Sequence, residues 1–126
     1  MRRAFSLLVC LLFALTTYLQ LNDPDPALWV AYYGGVTVLG GLGAAKRYPL
    51  WLAGGLTAAG AVWSLTLAPS VLTWLRGYPA SDILYGMSPD RPYIEESREC
   101  LGLAIAVVAC AVHAWWALRQ PKPAAE

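Results

Sequence analysis

Glu95-Glu96-Ser97-Arg98-Glu99-Cys100-Leu101-Gly102-Leu103 opens a run that stays apolar to Leu118 and closes in Arg119, Pro121 and Lys122. No charged side chain interrupts it between Glu99 and Arg119. As a helix rising about 1.5 Å per residue, this run reaches across a hydrocarbon core of about 30 Å. Its ends differ in sign, with carboxylates at the head and cations at the foot.

Working outward, three further apolar stretches obey the same sorting. Arg2, Arg3, Lys46, Arg47, Arg119 and Lys122, six of the nine basic residues, flank one set of ends. Asp23, Asp25, Asp82, Asp90, Glu95, Glu96 and Glu99, seven of the eight acidic residues, flank the other. A soluble domain has no reason to separate charge in this way. A membrane protein does, because Lys and Arg are retained in short cytoplasmic loops. The predicted architecture is therefore an all-α integral membrane four-helix bundle, up-down-up-down, with both termini in the cytoplasm of a cell, the bacterial inner membrane being the expected location. Residues 1–126 form one membrane domain, with helices near 4–21, 27–45, 50–69 and 95–118 and an outer loop at 70–94.

Composition agrees. Hydrophobic residues make up 58% and charged residues 13% of 126 positions, so four spans of about 20 residues leave little for an extramembrane domain. A net charge of +1 without a basic cluster beyond the loop ends excludes nucleic-acid binding. The three cysteines, Cys10, Cys100 and Cys110, form no CxxC pair and read as core-filling thiols. Ala4–Leu21 follows Arg2-Arg3 as a signal peptide would, but it is long and no small-x-small site precedes Asn22, so it reads as a span.

Local signals place the connections. In Asn22-Asp23-Pro24-Asp25-Pro26 each proline pushes the residue before it toward extended geometry. Asp25 suits the N-cap of the second helix, with Pro26 at its first position. Glycines in the second and third stretches let helices approach, and Ala31/Gly35 and Gly55/Ala59 are small pairs on candidate contact faces. Val71–Leu75 either prolongs the third helix or lies along the interface, with Arg76-Gly77 ending it. Ser81 to Pro92 reads as an irregular lid, and the tail after Lys122 as disordered. Trp29 and Trp74 are expected at the outer interface, and Trp51, Trp115 and Trp116 at the inner one, with Trp63 deep.

The residues with chemistry gather outside. Gln20, Asn22, Asp23 and Asp25 come from one side, and Glu95, Glu96, Arg98 and Glu99 from the other. Neighbouring carboxylates repel unless a cation, an arginine or a proton intervenes. In the simplest reading Asp25 caps a helix, the glutamates balance the positive end of the fourth helix, and Arg98 neutralises them. A second reading makes Asp23, Asp25, Glu95 and Glu99, helped by Asn22, oxygen ligands of a Ca²⁺ or Mg²⁺ ion. A third lets Glu99, Arg98 and Gln20 line a polar pocket for a small ligand. No catalytic or cofactor-binding residue is assigned, since no hydrolase, zinc, redox or nucleotide motif occurs. His113, the sole histidine, reads as a packing residue bonded to a nearby carbonyl. Neither Ser97 nor Cys100 has a histidine at matching depth, so nucleophilic catalysis lacks support.

Gln20-Leu21-Asn22-Asp23-Pro24-Asp25-Pro26, with Trp29 and Tyr32 or Tyr33 after it, resembles the signature of the transmembrane protein 220 family. Glu95-Glu96-Ser97-Arg98-Glu99 with Leu101-Gly102-Leu103 is similar to that family's second signature. The likeness covers nearly the whole chain, which looks like the compact bacterial form. It implies a multi-pass membrane protein without an assigned activity, cofactor or substrate. It marks Asn22, Asp23, Pro24, Asp25, Trp29, Glu95, Arg98, Glu99 and Gly102 without giving them roles.

Three functions remain open on the sequence. The preferred one is an accessory or binding protein whose acidic site takes a cation or a basic partner segment, self-associating or joining a membrane-protein partner through its glycine-rich helices. A transporter or channel protomer with Glu99 and Gln20 lining its path is the rival, and a membrane enzyme using paired carboxylates is the third.

Overall fold

The computed structural model describes residues 1–23, 25–79, 81 and 92–121. Among these every regular element is a helix. α1 spans Arg2–Leu19 and continues as a 3₁₀ turn, Gln20–Asn22; α2 spans Pro26–Ala44, α3 Leu50–Gly77 and α4 Pro92–Leu118. Among the described residues four helices are long and apolar enough to cross a membrane. The lid expected within 82–91, the role of Pro24 and the tail beyond 121 lie outside the described residues.

The third helix does not stop at residue 69. It runs on to Gly77, with Pro69 in its interior. Proline withholds one backbone N–H, which ends most helices in water. The carbonyl that loses its donor is that of Leu65, one turn earlier. On either side the Thr66 hydroxyl donates to the Trp63 carbonyl at 2.6 Å and the Thr73 hydroxyl to the Pro69 carbonyl at 3.0 Å. Beyond the helix end, the Trp74 indole N–H donates to the Pro79 carbonyl at 2.9 Å. Proline at the first position of α4 likewise starts that helix before Glu95.

Two compact units divide the chain, one of residues 1–57 with the chain from Val108 onward, the other of residues 58–107. In the first, α1 and α2 touch backbone to backbone. A Cβ on Gly40 would lie 2.6 Å from the Cys10 nitrogen and 2.9 Å from the Ser6 carbonyl oxygen, so only glycine fits there. Phe13 stacks on Tyr33 at 5.6 Å and Trp29 on Tyr33 at 5.8 Å. Partners falling in α2 as they rise in α1 make the two helices antiparallel. The Tyr32 hydroxyl donates to the Leu56 carbonyl at 2.9 Å and ties α2 to the start of α3. Gly35 faces the Leu56 side chain, whereas Gly55 faces open space, so the tightest approach uses neither expected small pair. Trp29 near the start of α2 and Trp116 near the end of α4 are buried in the packed interior. Trp51 and Trp115 are exposed, and the Arg119 guanidinium lies 5.2 Å over the Trp115 ring. All three cysteines are free thiols.

α2 ends in a Schellman turn. The Lys46 N–H reaches the Gly43 carbonyl at 3.0 Å, and the Arg47 N–H reaches Leu42 at 2.8 Å. The residue that turns the chain is Lys46, at φ 61°, where glycine is usual. A left-handed conformation costs a side-chain-bearing residue about 1–2 kcal/mol.

In the second unit α3 and α4 pair antiparallel through Ser64 with Cys100, Ser70 with Glu96, and Tyr78 with Tyr93. The tyrosine rings stack at 4.2 Å. Ile94, Leu103 and Ala106 are buried. Elsewhere large apolar side chains point outward, among them Leu8, Leu11 and Leu15 on α1, Val62 and Leu65 on α3, and Ile105 and Val108 on α4. Water would make such surfaces aggregate; lipid solvates them.

Candidate functional site

The acidic residues of the first loop are set by proline and by one hydrogen bond. Gln20 and Asn22 belong to the 3₁₀ turn, and the Asp23 N–H closes it on the Gln20 carbonyl at 3.0 Å. Asp23 is extended at φ −75°, ψ 146°. Asp25 occupies the N-cap of α2 with Pro26 behind it, yet makes no side-chain cap bond. Its own N–H instead donates to Asp23 Oδ1 at 2.9 Å, an Asx turn. Asp23 therefore orders the loop with one carboxylate oxygen and keeps a second for another donor or a cation. Asp23 and Gln20 are half-buried, while Asn22 and Asp25 are exposed.

At the head of α4 the helix itself distributes the charges. Glu95 and Glu99, four residues apart, share one face and are both half-buried. Glu96 lies about 100° away around the helix and accepts a hydrogen bond from the Ser70 hydroxyl of α3. Arg98 is exposed. Ser97 is fully buried, and among the described residues its hydroxyl and that of Ser64 have no hydrogen-bond partner. Ser97 projects about 160° from both Glu95 and Glu99, so its orphaned hydroxyl belongs to a different face from the carboxylate pair. Carboxylate oxygens are hard donors suited to Ca²⁺ or Mg²⁺ and poorly suited to soft metals.

Sequence reasoning missed two partners. Ser70 carried no visible signal, being one hydroxyl beside a proline. Ser6 had one: with Val9 and Phe13 it shares the buried stripe of an otherwise lipid-facing helix. Its hydroxyl lies 3.0 Å from His113 Nε2, and His113 Nδ1 lies 2.8 Å from the Ala109 carbonyl. A carbonyl only accepts, so Nδ1 bears the proton and Nε2 accepts from Ser6. This hydroxyl–imidazole order also serves nucleophilic catalysis. Here, however, both side chains are fully buried, and a Cβ on Gly43 would fall 2.5 Å from the Ser6 oxygen. With Phe5, Tyr48 and Trp116 packed around the imidazole, no substrate has room. The pair is a packing lock, as predicted for His113.

The threonine hydroxyls of the spans bond within their own helices. Thr16, Thr17, Thr37 and Thr57 donate their hydroxyls to the carbonyls of Leu12, Phe13, Tyr33 and Ala53 in their own helices.

Comparison with known proteins gives one family. The family described as "Transmembrane family 220, helix" matches residues 12–115, which include both signature segments. Neither the curated proteins nor the solved structures contain a match to the chain.

Proposed function

The chain belongs to transmembrane family 220, a membrane family of unknown function, and from that premise we propose that it is an accessory or binding protein of the cell membrane. In this reading its four spans run up-down-up-down with both termini inside, in a bacterial inner membrane. The outer ends then carry Asp23 and Asp25 from the first loop and Glu95 and Glu99 from the head of α4 to one acidic site. Asn22, Gln20, Glu96 and Arg98 surround it, and a Ca²⁺ or Mg²⁺ ion or a basic segment of a partner occupies it.

The observation that carries this reading is the half-burial of Glu95 and Glu99 on one helix face. Two carboxylates so placed repel and are poorly hydrated, and a cation relieves both costs. Self-association or a membrane-protein partner would use the exposed small residues Gly55 and Ala59 of α3.

The test is divalent-cation binding by the detergent-solubilised chain, read by element analysis and calorimetry. We expect Glu99→Gln combined with Asp23→Asn to abolish binding of Ca²⁺, Mg²⁺ or a poly-lysine peptide while circular dichroism stays helical. Unchanged binding in that double variant removes the acidic site. Reporter fusions at residues 22–26 and 95–99 must also report the same membrane face.

A further inference from the structure

At the end of the first unit that carries its cations, Met1, Arg2, Arg3, Lys46, Tyr48 and Gln120 line a cavity of about 400 Å³. That size falls within the roughly 300–1,000 Å³ usual for small-molecule sites. We propose that it binds a phosphate group, supplied either by the headgroup of an anionic lipid or by a soluble phosphate. The acidic site plays no part in this inference.

The lining has the chemistry of a phosphate site. Two guanidinium forks and one ammonium supply positive charge, and the Tyr48 phenol and Gln120 amide supply neutral donors. Among the described residues no carboxylate lines the cavity to cancel that charge. Membrane proteins commonly take lipid headgroups in basic pockets between helices at this level.

The wall is also fixed in advance. The Arg2 guanidinium lies 5.5 Å over the Trp116 ring, which restrains its head. Tyr48 packs edge-on to Trp116 at 5.9 Å and against His113 at 6.3 Å, so the locked Ser6–His113 cluster backs the cavity. Lys46 is held there by the Schellman turn in a left-handed conformation that glycine would adopt without strain. A position optimised for stability alone would carry glycine. Lysine at that position puts a cation on the cavity wall instead.

Two arms test the proposal on the full chain. One titrates inorganic phosphate into the detergent-solubilised protein and follows ³¹P line broadening. The other reconstitutes it in phosphatidylcholine nanodiscs doped with phosphatidylglycerol and reads retained lipid by native mass spectrometry. Arg3→Gln with Lys46→Gln is compared with Arg47→Gln with Arg119→Gln, which removes equal charge from residues outside the cavity lining. The cavity variant should weaken binding about thirtyfold, and the control by less than about threefold. Lys46→Gly should raise the unfolding temperature while weakening the same binding, a divergence that a purely structural lysine would not produce. Phosphatidylglycerol retention without a response to inorganic phosphate supports the lipid source, and the converse supports the soluble one. Absence of both, or equal losses in the cavity and control variants, overturns the site.

Discussion

Gly43 lies directly over the Ser6–His113 hydrogen bond, and the missing side chain is what lets α1, α2 and α4 meet there. An added Cβ would stand 2.5 Å from Ser6 Oγ and 2.8 Å from His113 Nε2. Neither atom can retreat, because each is fully buried and each is held by the other. Gly43→Ala should therefore destabilise by about 1–3 kcal/mol, the usual cost of overpacking a core. Gly55→Ala, with open space around it, should instead be neutral or stabilise by up to about 1 kcal/mol through lower chain entropy. Unfolding midpoints in detergent, followed by circular dichroism, distinguish the two. Equal effects would mean that the Gly43 contact is not close. The glycine-rich composition announced close packing, but the two residues carrying it, Gly40 and Gly43, are set by which α2 face meets α1.

In the first loop the side chain that orders the backbone, Asp23, is also one assigned to the proposed cation site. Pro26 opens α2 directly after Asp25, and the Asx turn from Asp25 N–H to Asp23 Oδ1 precedes it. Asn at position 23 keeps an acceptor oxygen in that turn and loses the charge; Ala loses both. Asp23→Asn should leave thermal stability nearly unchanged, and Asp23→Ala should lower it by about 0.5–1.5 kcal/mol. Denaturation of the two single variants checks this, and a large loss in the Asn variant would mean that charge, not the turn, orders the loop. The contrast matters for the proposed cation site, since it lets ligand loss be separated from loop collapse. α3 carries a related lesson. Pro69 stands inside α3, which runs on to Gly77, where the sequence leaves open whether Val71–Leu75 prolongs the helix or lies along the interface.

For the whole molecule, the decisive condition is that the solvent is lipid. Leu11 is 69% exposed in the middle of α1, and it contributes little to the packed interior. Leu11→Lys on a soluble protein's surface would change stability by at most about 0.5 kcal/mol. In a membrane span it should cost about 3 kcal/mol of insertion free energy, because a cation near the helix centre enters hydrocarbon. A translocon insertion assay on α1 measures this directly, and insertion equal to that of the unaltered chain would contradict a spanning α1.

The amino-acid sequence alone determined the number of spans, the sorting of charge between their ends and the identity of the acidic loop and helix head. Those features follow from transfer free energies and helix rise, which depend on residue type and spacing and need no partner. Tertiary structure alone decided that Ser6 meets His113, that Ser70 holds Glu96, that Trp29 and Trp116 are core residues, and that Lys46 stands on a cavity wall. Such contacts depend on the rotation of each helix about its axis. Where most faces are apolar, hydropathy barely distinguishes one rotation from another, and the choice falls to steric fit at positions such as Gly40 and Gly43 and to the few hydrogen bonds that lipid cannot supply.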